Sequence, residues 1–367
     1  MMQVGNEWSW IINLLFIVFF FVMYMYGTRI QAYVWTRQVE TAVSQLESLT
    51  TQGKQIAYRA FKDLAAKEED IKSTVEDFME FFIIEPVSLD PAGVLGRLEH
   101  LLDVRTHRYE KEIARIAPNA EPEKAANAES VLSGAMALNY IFRVVRHFMI
   151  LGKKTKSIYY IMQVQMQLPE IMRMAKAYFE AVRAFADGKP IGDGMGPLAI
   201  AHFARELKAG KSEEITQHTI ALSSKFEGRK ILFVRAKGYG SHVGKPGEAI
   251  KMLVDRSKGK ISRIITIDAG MKLEGEDSGH IIEGVGAAIG DPGPEKFKME
   301  DSGVKYDIPI DAIIIKESLE DALSPMKKIL VDAVPKIIER IKNAIMLRTK
   351  NGDTVIVAGI GNSIGIA

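Results

Sequence analysis

The run Ile264-Ile265-Thr266-Ile267-Asp268-Ala269-Gly270 is the segment that best indicates how this chain folds. Its four consecutive β-branched residues predict a buried strand, because such residues are favoured in strands that are covered on both faces. An acid follows where the strand ends. Ligands of open α/β sheets bind beyond the carboxyl ends of the strands, so Asp268 is a candidate functional residue. The alternative is an Asp that accepts backbone N–H groups of the next loop.

Similar short β-branched runs recur through the second half of the chain, at 229–236, 308–315 and 354–359. They alternate with segments that have helical patterns. This alternation predicts an α/β domain over residues 188–367, with a mostly parallel sheet that is covered on both faces.

Two local signals refine this prediction. The pair Glu227-Gly228 separates the run 215–226 from the next strand and predicts a hairpin. The last long helical stretch, 319–346, contains Pro325 and Pro335, and either residue is expected to split it.

A second acid lies in the turn Gly192-Asp193-Gly194-Met195-Gly196-Pro197. The glycines permit positive φ and close backbone approach, and Pro197 suits the start of a helix. Asp193 is therefore either the N-cap of that helix or a catalytic acid exposed at a Gly-rich turn. If Asp193 and Asp268 share a crevice, they can share a proton and activate water.

A Gly-rich loop, residues 237–248, follows the strand at 229–236 and precedes a helix. This position is typical of an anion site, with candidate residues Gly238, Gly240, Ser241, Gly244 and Lys245. The spacing is not that of a Walker A loop, and a proline stands where the magnesium-binding hydroxyl residue would be, so an ATPase is disfavoured.

The segment Asp277-Ser278-Gly279-His280, which continues to Gly286, is predicted to lead into an edge strand beside the Asp268 strand end. His280 is either a structural residue or a third ligand for a divalent metal, together with Asp193 and Asp268. Oxygen and imidazole ligands suit Zn, Mn or Ni.

Residues 29–187 have the patterns of helices, with a connecting loop predicted at Pro118–Asn127. The apolar segment 8–27 before them is long enough to cross a bilayer as one helix. It lacks the basic start and small-residue cleavage site of a signal peptide, and interfacial aromatics such as Trp8 and Tyr26 flank it. Residues 1–28 are therefore predicted to be a retained membrane anchor.

The charges around this segment predict its orientation. Glu7 is the only charged side chain before it, whereas Arg29 and Arg37 follow it with no acid before Glu40. The positive-inside bias puts the N-terminus outside and the bulk of the chain in the cytoplasm, as a single-pass protein of the cell membrane. The absence of Cys excludes disulfides, and the net charge of +2 does not favour nucleic acid.

In their order along the chain, these motifs resemble the superfamily of spore germination proteases and hydrogenase maturation proteases. The similar features are the turn ending at Pro197, the loop Gly244–Glu248, the strand end Ile267-Asp268-Ala269, the loop Ser278–Gly286, the strand start Ile308-Pro309 and the pair Asp332-Ala333. The resemblance implies that Asp193 and Asp268 carry peptidase chemistry. In the maturation proteases the acid at the second position instead helps to hold nickel.

The opening strand of that superfamily is missing before Asp193, and a similar motif occurs at Gly359–Asn362. A circular permutation, in which the last strand takes the place of the first, is one hypothesis. Over its full length the chain also resembles a family of archaeal membrane-anchored proteins, a domain of unknown function.

Three functions remain open from the sequence. The first is a membrane-tethered hydrolase that uses an Asp193–Asp268 pair on a protein or peptide, with loop amides near Gly240 to Gly244 as oxyanion donors. The second is a metal-dependent hydrolase or a metal-binding module. The third is a non-enzymatic scaffold that forms homo-oligomers through its helical domain and binds a ligand through the α/β domain.

Overall fold

The structure is a computed structural model that describes residues 9–64, 68–84, 86, 91–290 and 293–366. It divides into two compact units, one of Met1–Thr50 with Asn139–Ala175, the other of Thr51–Leu138 with Lys176–Ala367. The predicted interfacial Trp8 lies outside the described residues, as does Glu7. The domain limits predicted at residues 28 and 187 stay a prediction.

The first half of the described chain is helical. Its helices are α1 (Ser9–Lys62), α2 (Glu68–Met79), α3 (Pro91–Ile116), α4 (Pro122–Thr155) and α5 (Ile158–Ala186). The loop predicted at Pro118–Asn127 is wrong over most of its length, because α4 already begins at Pro122. A proline fits the first position of a helix, where its missing N–H has no partner to lose.

Helix α1 is one continuous helix of 54 residues. The apolar segment and the start of the region predicted to be helical from residue 29 are therefore parts of the same helix. The segment is long and apolar enough to cross a membrane, and none of its best window is buried by the protein. Exposed side chains such as Phe16, Phe19 and Phe20 are what a lipid-facing helix requires.

In the first unit α1 packs with the end of α4 and the start of α5. Val39 and Leu46 of α1 are fully buried. Lys153 of α4 contacts Glu40, and Gln165 of α5 donates to Gln38 at 3.4 Å. The α4–α5 connection is a tight helical hairpin.

The second half of the chain forms a seven-stranded sheet in the order β1-β2-β3-β7-β4-β6-β5. The strands are β1 (Glu213–Thr216), β2 (Thr219–Phe226), β3 (Arg229–Ala236), β4 (Arg263–Met271), β5 (Ile281–Val285), β6 (Ile310–Glu317) and β7 (Thr354–Gly359). The four central strands β3, β7, β4 and β6 are parallel, and the outer three are antiparallel to their neighbours. The sheet is therefore mixed around a parallel centre.

Helices cover both faces of this sheet. They are α6 (Met195–Glu206), α7 (Pro246–Arg256), α8 (Pro294–Tyr306), α9 (Leu319–Leu323), α10 (Lys328–Val331) and α11 (Val334–Arg348). On one face α6 and α11 pack in a cluster centred on Phe203, Phe233 and Ile337. On the other face the cluster includes Ile250, Ile264 and Met299 of α7, β4 and α8. Burial of both faces explains why the central strands are almost wholly apolar.

Several local predictions are confirmed. Glu227 and Gly228 both have positive φ and form the two-residue turn of the β2–β3 hairpin. The stretch predicted as the last helix is split into α9, α10 and α11, with Pro325 between the first two and Pro335 in the first turn of the third.

The last strand takes a central place that positions the site. β7 pairs with β3 on one side and β4 on the other. α6 begins directly over the carboxyl ends of β4 and β7, because Gly196 has no side chain there: a Cβ would lie 2.5 Å from the carbonyl oxygen of Ile267 and 2.3 Å from that of Ile360. The permutation hypothesis requires β7 to lie near Asp193, and this arrangement is compatible with it.

Candidate carboxylate site

Asp193 lies in a single 3-10 turn, Gly192–Gly194, that leads into α6. It is not the predicted N-cap, since the residue before α6 is Gly194 and makes no side-chain cap. Its Oδ2 instead accepts the backbone N–H of Asn362 at 2.8 Å, from the Gly-rich turn after β7. Burial raises the pKa of Asp193 above its usual value, and the Asn362 amide partly offsets this.

Asp268 lies near the carboxyl end of β4 and is only 5% exposed. Its Oδ1 accepts the N–H of Ala269 at 2.8 Å. Asp268 therefore also accepts a backbone amide, as the structural alternative from the sequence predicts. Burial and the nearby charge of Asp193 raise the pKa of Asp268 to about 8, although amides of Ala269 and Gly290 lower it. The two aspartates are therefore close enough for the charge of Asp193 to be felt at Asp268.

Glu317 is a third acid at the same edge, and it was not among the residues predicted from the sequence. It is the last residue of β6, opposite Met271 of β4, and is 1% exposed. Neither carboxylate oxygen has a hydrogen-bond partner among the described residues. Burial, followed by the charges of Asp193, Asp321 and Asp268, raises the pKa of Glu317 to about 9.

Gly192 gives Glu317 its place beside the Asp193 turn. A Cβ at Gly192 would lie 2.8 Å from Glu317 Oε2 and 2.2 Å from the carbonyl oxygen of Asp321. Any side chain there would therefore displace either the carboxylate or the backbone of α9. The glycine of the motif is required by this close approach.

Asp321 is the fourth acid, and neighbouring groups compensate its negative charge. Burial raises its pKa, but the ion pair with Lys327 and the hydrogen bond from Ser278 Oγ lower it overall. Asp321 therefore stays ionised and adds negative potential at Glu317. Ser278 lies in the same predicted motif as His280, and its hydrogen bond to Asp321 gives it a structural role.

His280 itself is exposed, and the electrostatic contact that the structure gives it is with Glu276. It pairs through its backbone carbonyl with Lys316, on the strand next to β5. The register puts His280 on the side of Lys316, which is also the side of Asp268, whereas Glu317 follows on the other face of the sheet. The charges of Asp193 and Asp268 nevertheless raise the pKa of Glu317, so Glu317 is a third acid that is electrostatically coupled to the two aspartates. A role of His280 as a metal ligand stays a prediction.

Both halves of the chain match models of one protein family. The model described as the protein of unknown function (DUF1512) N-terminal domain matches residues 13–188. The model described as the domain of unknown function (DUF1512) C-terminal matches residues 191–367. The chain belongs to the DUF1512 family. No curated protein matches it.

The DUF1512 C-terminal match begins at the Asp193 turn and includes β7. All four acids of the site therefore belong to this part of the family. A signal for Glu317 was present in the sequence: it is an acid at the end of a predicted parallel strand, as Asp268 is. The predicted strand ended at residue 315, two residues too early to reveal it.

The Gly-rich loop of the DUF1512 chain is engaged with its own helices. The amide of Gly240 donates to Asn127 at 2.9 Å and that of Ser241 to Ser130 at 2.6 Å. The remaining predicted residues are likewise partnered: Gly238 N–H with Ser363, Lys245 N–H with Thr219 and the Lys245 ammonium with Asp103, while Gly244 has positive φ next to His218. Anion binding by this loop stays a prediction that our proposals do not use.

Beside this loop two imidazoles stack on each other. The rings of His218 and His242 are parallel, with centroids 4.2 Å apart. Glu110 lies 3.1 Å from His218 Nε2, and Glu129 lies 3.8 Å from His242 Nε2. Burial, with the charge of Glu110, raises the pKa of Glu129 to about 7, although Arg105 lowers it.

A further acidic cluster joins Glu99, Glu248 and Glu295, whose oxygens are close enough to bind a metal ion. The ammonium of Lys298 already contacts all three carboxylates. Although burial lowers the pKa of Lys298, hydrogen bonds and charges from Glu99 and its neighbours raise it overall. This cluster is a compensated structural ion-pair network.

Proposed function

We propose that this protein is a membrane-anchored hydrolase whose Asp193 and Asp268 act as a carboxylate pair on peptide bonds. The observation that carries the proposal is the raised pKa of Asp268, to which the charge of Asp193 contributes. The resemblance of the ordered motifs to the germination and maturation proteases supplies the substrate class. That the family is archaeal stays a prediction.

The two aspartates have different roles in this proposal. The charge of Asp193 raises the pKa of Asp268 and Glu317, so we assign the first ionisation to Asp193. Asp193 then takes a proton from the attacking water as general base. Asp268, with a pKa of about 8, is still protonated at neutral pH and donates its proton to the leaving amine.

Glu317 completes the pair as a neutral donor. With a pKa of about 9 it carries a proton at neutral pH, and the structure gives its oxygens no other partner among the described residues. A buried protonated carboxyl group can donate a hydrogen bond to a developing oxyanion. In our proposal Glu317 takes the part that was first assigned to the amides near Gly240.

The test uses the purified full-length chain and a fluorogenic peptide library. Asp193→Asn and Asp268→Asn are each expected to lower cleavage by about 10²-fold or more, because each removes one partner of a proton transfer. Asp187→Asn is the matched control, since this acid is exposed and forms an ion pair with the nearby Lys189. Cleavage that persists in both site variants would refute the proposal.

A metal-dependent hydrolase is the second candidate, and the unpartnered oxygens of Glu317 favour it. Asp193, Asp268 and Glu317 offer only oxygen ligands, which suits Mg²⁺ or Mn²⁺. Such an ion would supply Lewis-acid activation of water. Added Mn²⁺ is then expected to raise the Tm of the wild type but not of Glu317→Gln, and EDTA is expected to abolish cleavage. Equal Tm values with and without Mn²⁺ or Mg²⁺ would eliminate this candidate.

We also propose that α1 spans the cell membrane once, with the N-terminus outside. The charge bias at Arg29 and Arg37 supports this orientation. Because the chain has no Cys, a single engineered Cys at residue 2 or at Leu347 reports its own side of the membrane. Labelling by an impermeant reagent in intact cells should occur only at residue 2. Homo-oligomer formation stays a prediction, which size measurement in detergent tests.

A further inference from the structure

The sequence of the hairpin between α4 and α5 is rich in basic residues. Between Glu129 and Glu170 the sequence contains five Arg or Lys residues and no acid. They are Arg143, Arg146, Lys153, Lys154 and Lys156, and all five are exposed. Of the two acids that α1 contributes to the same unit beyond its apolar segment, Glu40 already pairs with Lys153 and Arg37.

Within its own unit this hairpin lies towards the apolar end of α1. The part of α1 in this unit ends at Thr50, the part of α4 begins at Asn139, and the part of α5 ends at Ala175. These three residues mark one end of the unit. The α4–α5 turn is thus at the opposite limit, where α1 has its apolar segment. The side chains of Gln38 and Gln165 are in contact, so these two residues lie at about the same height along the axis of α1.

Helix geometry gives the distance to the membrane. From Gln165 to Ile158, the first residue of α5, the helix rises about 10 Å, and from Gln38 back to Gly27 it rises about 16 Å. The start of α5 is therefore about 6 Å from the end of the apolar segment. This distance is within the headgroup layer, which is about 5–7 Å thick on each side of the hydrocarbon core.

The turn has the composition of a membrane interface. Lys154 and Lys156 are exposed there, and Lys156 takes a left-handed conformation that ends α4. Tyr159, at the start of α5, is 69% exposed. Tyr33 of α1 is 67% exposed near the same level. Aromatic side chains with nearby cations are typical of protein segments at the headgroup level.

We infer that the α4–α5 turn is a second membrane contact that binds anionic lipid headgroups in the bilayer that α1 crosses. Each Lys near an anionic surface increases association about fivefold, which corresponds to about 1 kcal/mol. The inference rests on the proposed insertion of α1, and it does not depend on any hydrolase activity.

The test uses the full chain in vesicles. A fluorophore on Thr155→Cys reports the turn specifically, because the chain has no other Cys and Thr155 is exposed. Quenching by a spin-labelled phosphatidylglycerol is expected to exceed quenching by spin-labelled phosphatidylcholine severalfold. High salt should reduce this preference through screening.

Two variants make the test decisive. Lys154→Gln/Lys156→Gln leaves the Lys153–Glu40 pair intact and is expected to bring quenching by the two lipids close to equal, because each Lys contributes about fivefold to association with an anionic surface. Lys258→Gln/Lys260→Gln is the matched control, because Lys258 has the same left-handed conformation after α7 as Lys156 has after α4. It should retain the preference.

Two results would overturn the inference. One is equal quenching by the two lipids in the wild type, and the other is an unchanged preference in Lys154→Gln/Lys156→Gln. Resistance to carbonate extraction is measured on the same vesicles. A chain that resists extraction but shows no preference refutes the lipid contact alone, whereas a chain that is extracted refutes the insertion of α1 as well.

Discussion

The carboxylate of Asp193 accepts the backbone N–H of Asn362 at 2.8 Å, across 169 residues of sequence. This hydrogen bond joins the turn before α6 to the turn after the last strand. It fixes one carboxylate oxygen over the edge at which β4, β6 and β7 end. The other groups of the site, Asp268 and Glu317, lie on strands of that edge.

The Asp193→Asn variant is expected to lower the pKa of Asp268 from its value of about 8. Removal of a neighbouring negative charge favours ionisation, while the side-chain oxygen of Asn still accepts the Asn362 amide. Infrared titration of the protonated carboxyl stretch measures this change. An unchanged titration would show that the two acids are not electrostatically coupled.

The pH dependence of hydrolysis is expected to be bell-shaped. The base form of Asp193 appears above its raised pKa, and the acid form of Asp268 is lost above about pH 8. Cleavage should therefore decline as pH rises through about 8. Profiles of kcat/KM across pH provide the measurement, and constant activity far above this pH would exclude Asp268 as the general acid.

The Glu317→Gln variant is expected to be more stable than the wild type at neutral and alkaline pH. Glu317 has a pKa of 4.5 when unfolded and of about 9 when folded, so the folded state holds its proton longer. Wild-type stability therefore falls as pH rises from about 4.5 to about 9, at about 1.4 kcal/mol per unit. The gain of the variant should be absent below pH 4.5 and complete above 9.

Thermal unfolding of the full chain across this pH range measures the gain. Glu339→Gln, an exposed carboxylate in α11, is the control and should show no such trend. If Glu317→Gln loses stability at pH 8, the wild-type carboxylate must have a stabilising partner, which a bound metal ion would provide.

The parallel centre of the sheet was predictable from local signals. The strands at 229–236 and 354–359 were predicted with their observed limits, because each is a dense β-branched run between turn residues. Which strands lie next to each other in the sheet was not predictable from such local signals. Placing β7 between β3 and β4 depends on pairs such as Lys230 with Thr354 and Arg263 with Val355, which are far apart in the sequence and leave no local pattern.

The candidate site was predictable only in part. Asp193 lies in a Gly-rich turn and Asp268 at the end of a β-branched run, and both patterns can be recognised in the sequence. Glu317 was missed because its strand continues for two residues beyond the apolar run. The anion site suggested by the Gly-rich loop stays a prediction, but the hydrogen bonds of its amides at Gly240 and Ser241 to side chains of α4 were not predictable. Tertiary partners of this kind leave no periodic signal.

The Gly361→Ala variant is expected to be much more damaging than Gly352→Ala. Both glycines have positive φ, which costs an alanine about 1–2 kcal/mol. A Cβ at Gly361 would also lie 2.1 Å from the backbone oxygen of Asp193, whereas a Cβ at Gly352 meets nothing within 4 Å. The difference in Tm between the two variants measures the close approach. Equal losses would mean that the Asp193 turn is not fixed by this contact.

The Glu129→Gln variant is expected to stabilise the contact between α4 and the Gly-rich loop at neutral pH. Burial and the charge of Glu110 raise the folded pKa of Glu129 from 4.5 to about 7. Wild-type stability therefore falls as pH rises from about 4.5 to about 7, by about 3 kcal/mol in total.

The variant should match the wild type below pH 4.5 and exceed it above pH 7. The measurement is hydrogen exchange at the amides of Gly240 and Ser241, which bond to α4 on either side of Glu129. Glu123→Gln, at the exposed start of the same helix, is the control. Protection that stays equal in wild type and Glu129→Gln at pH 8 would show that Glu129 is ionised at this pH without cost to the folded state.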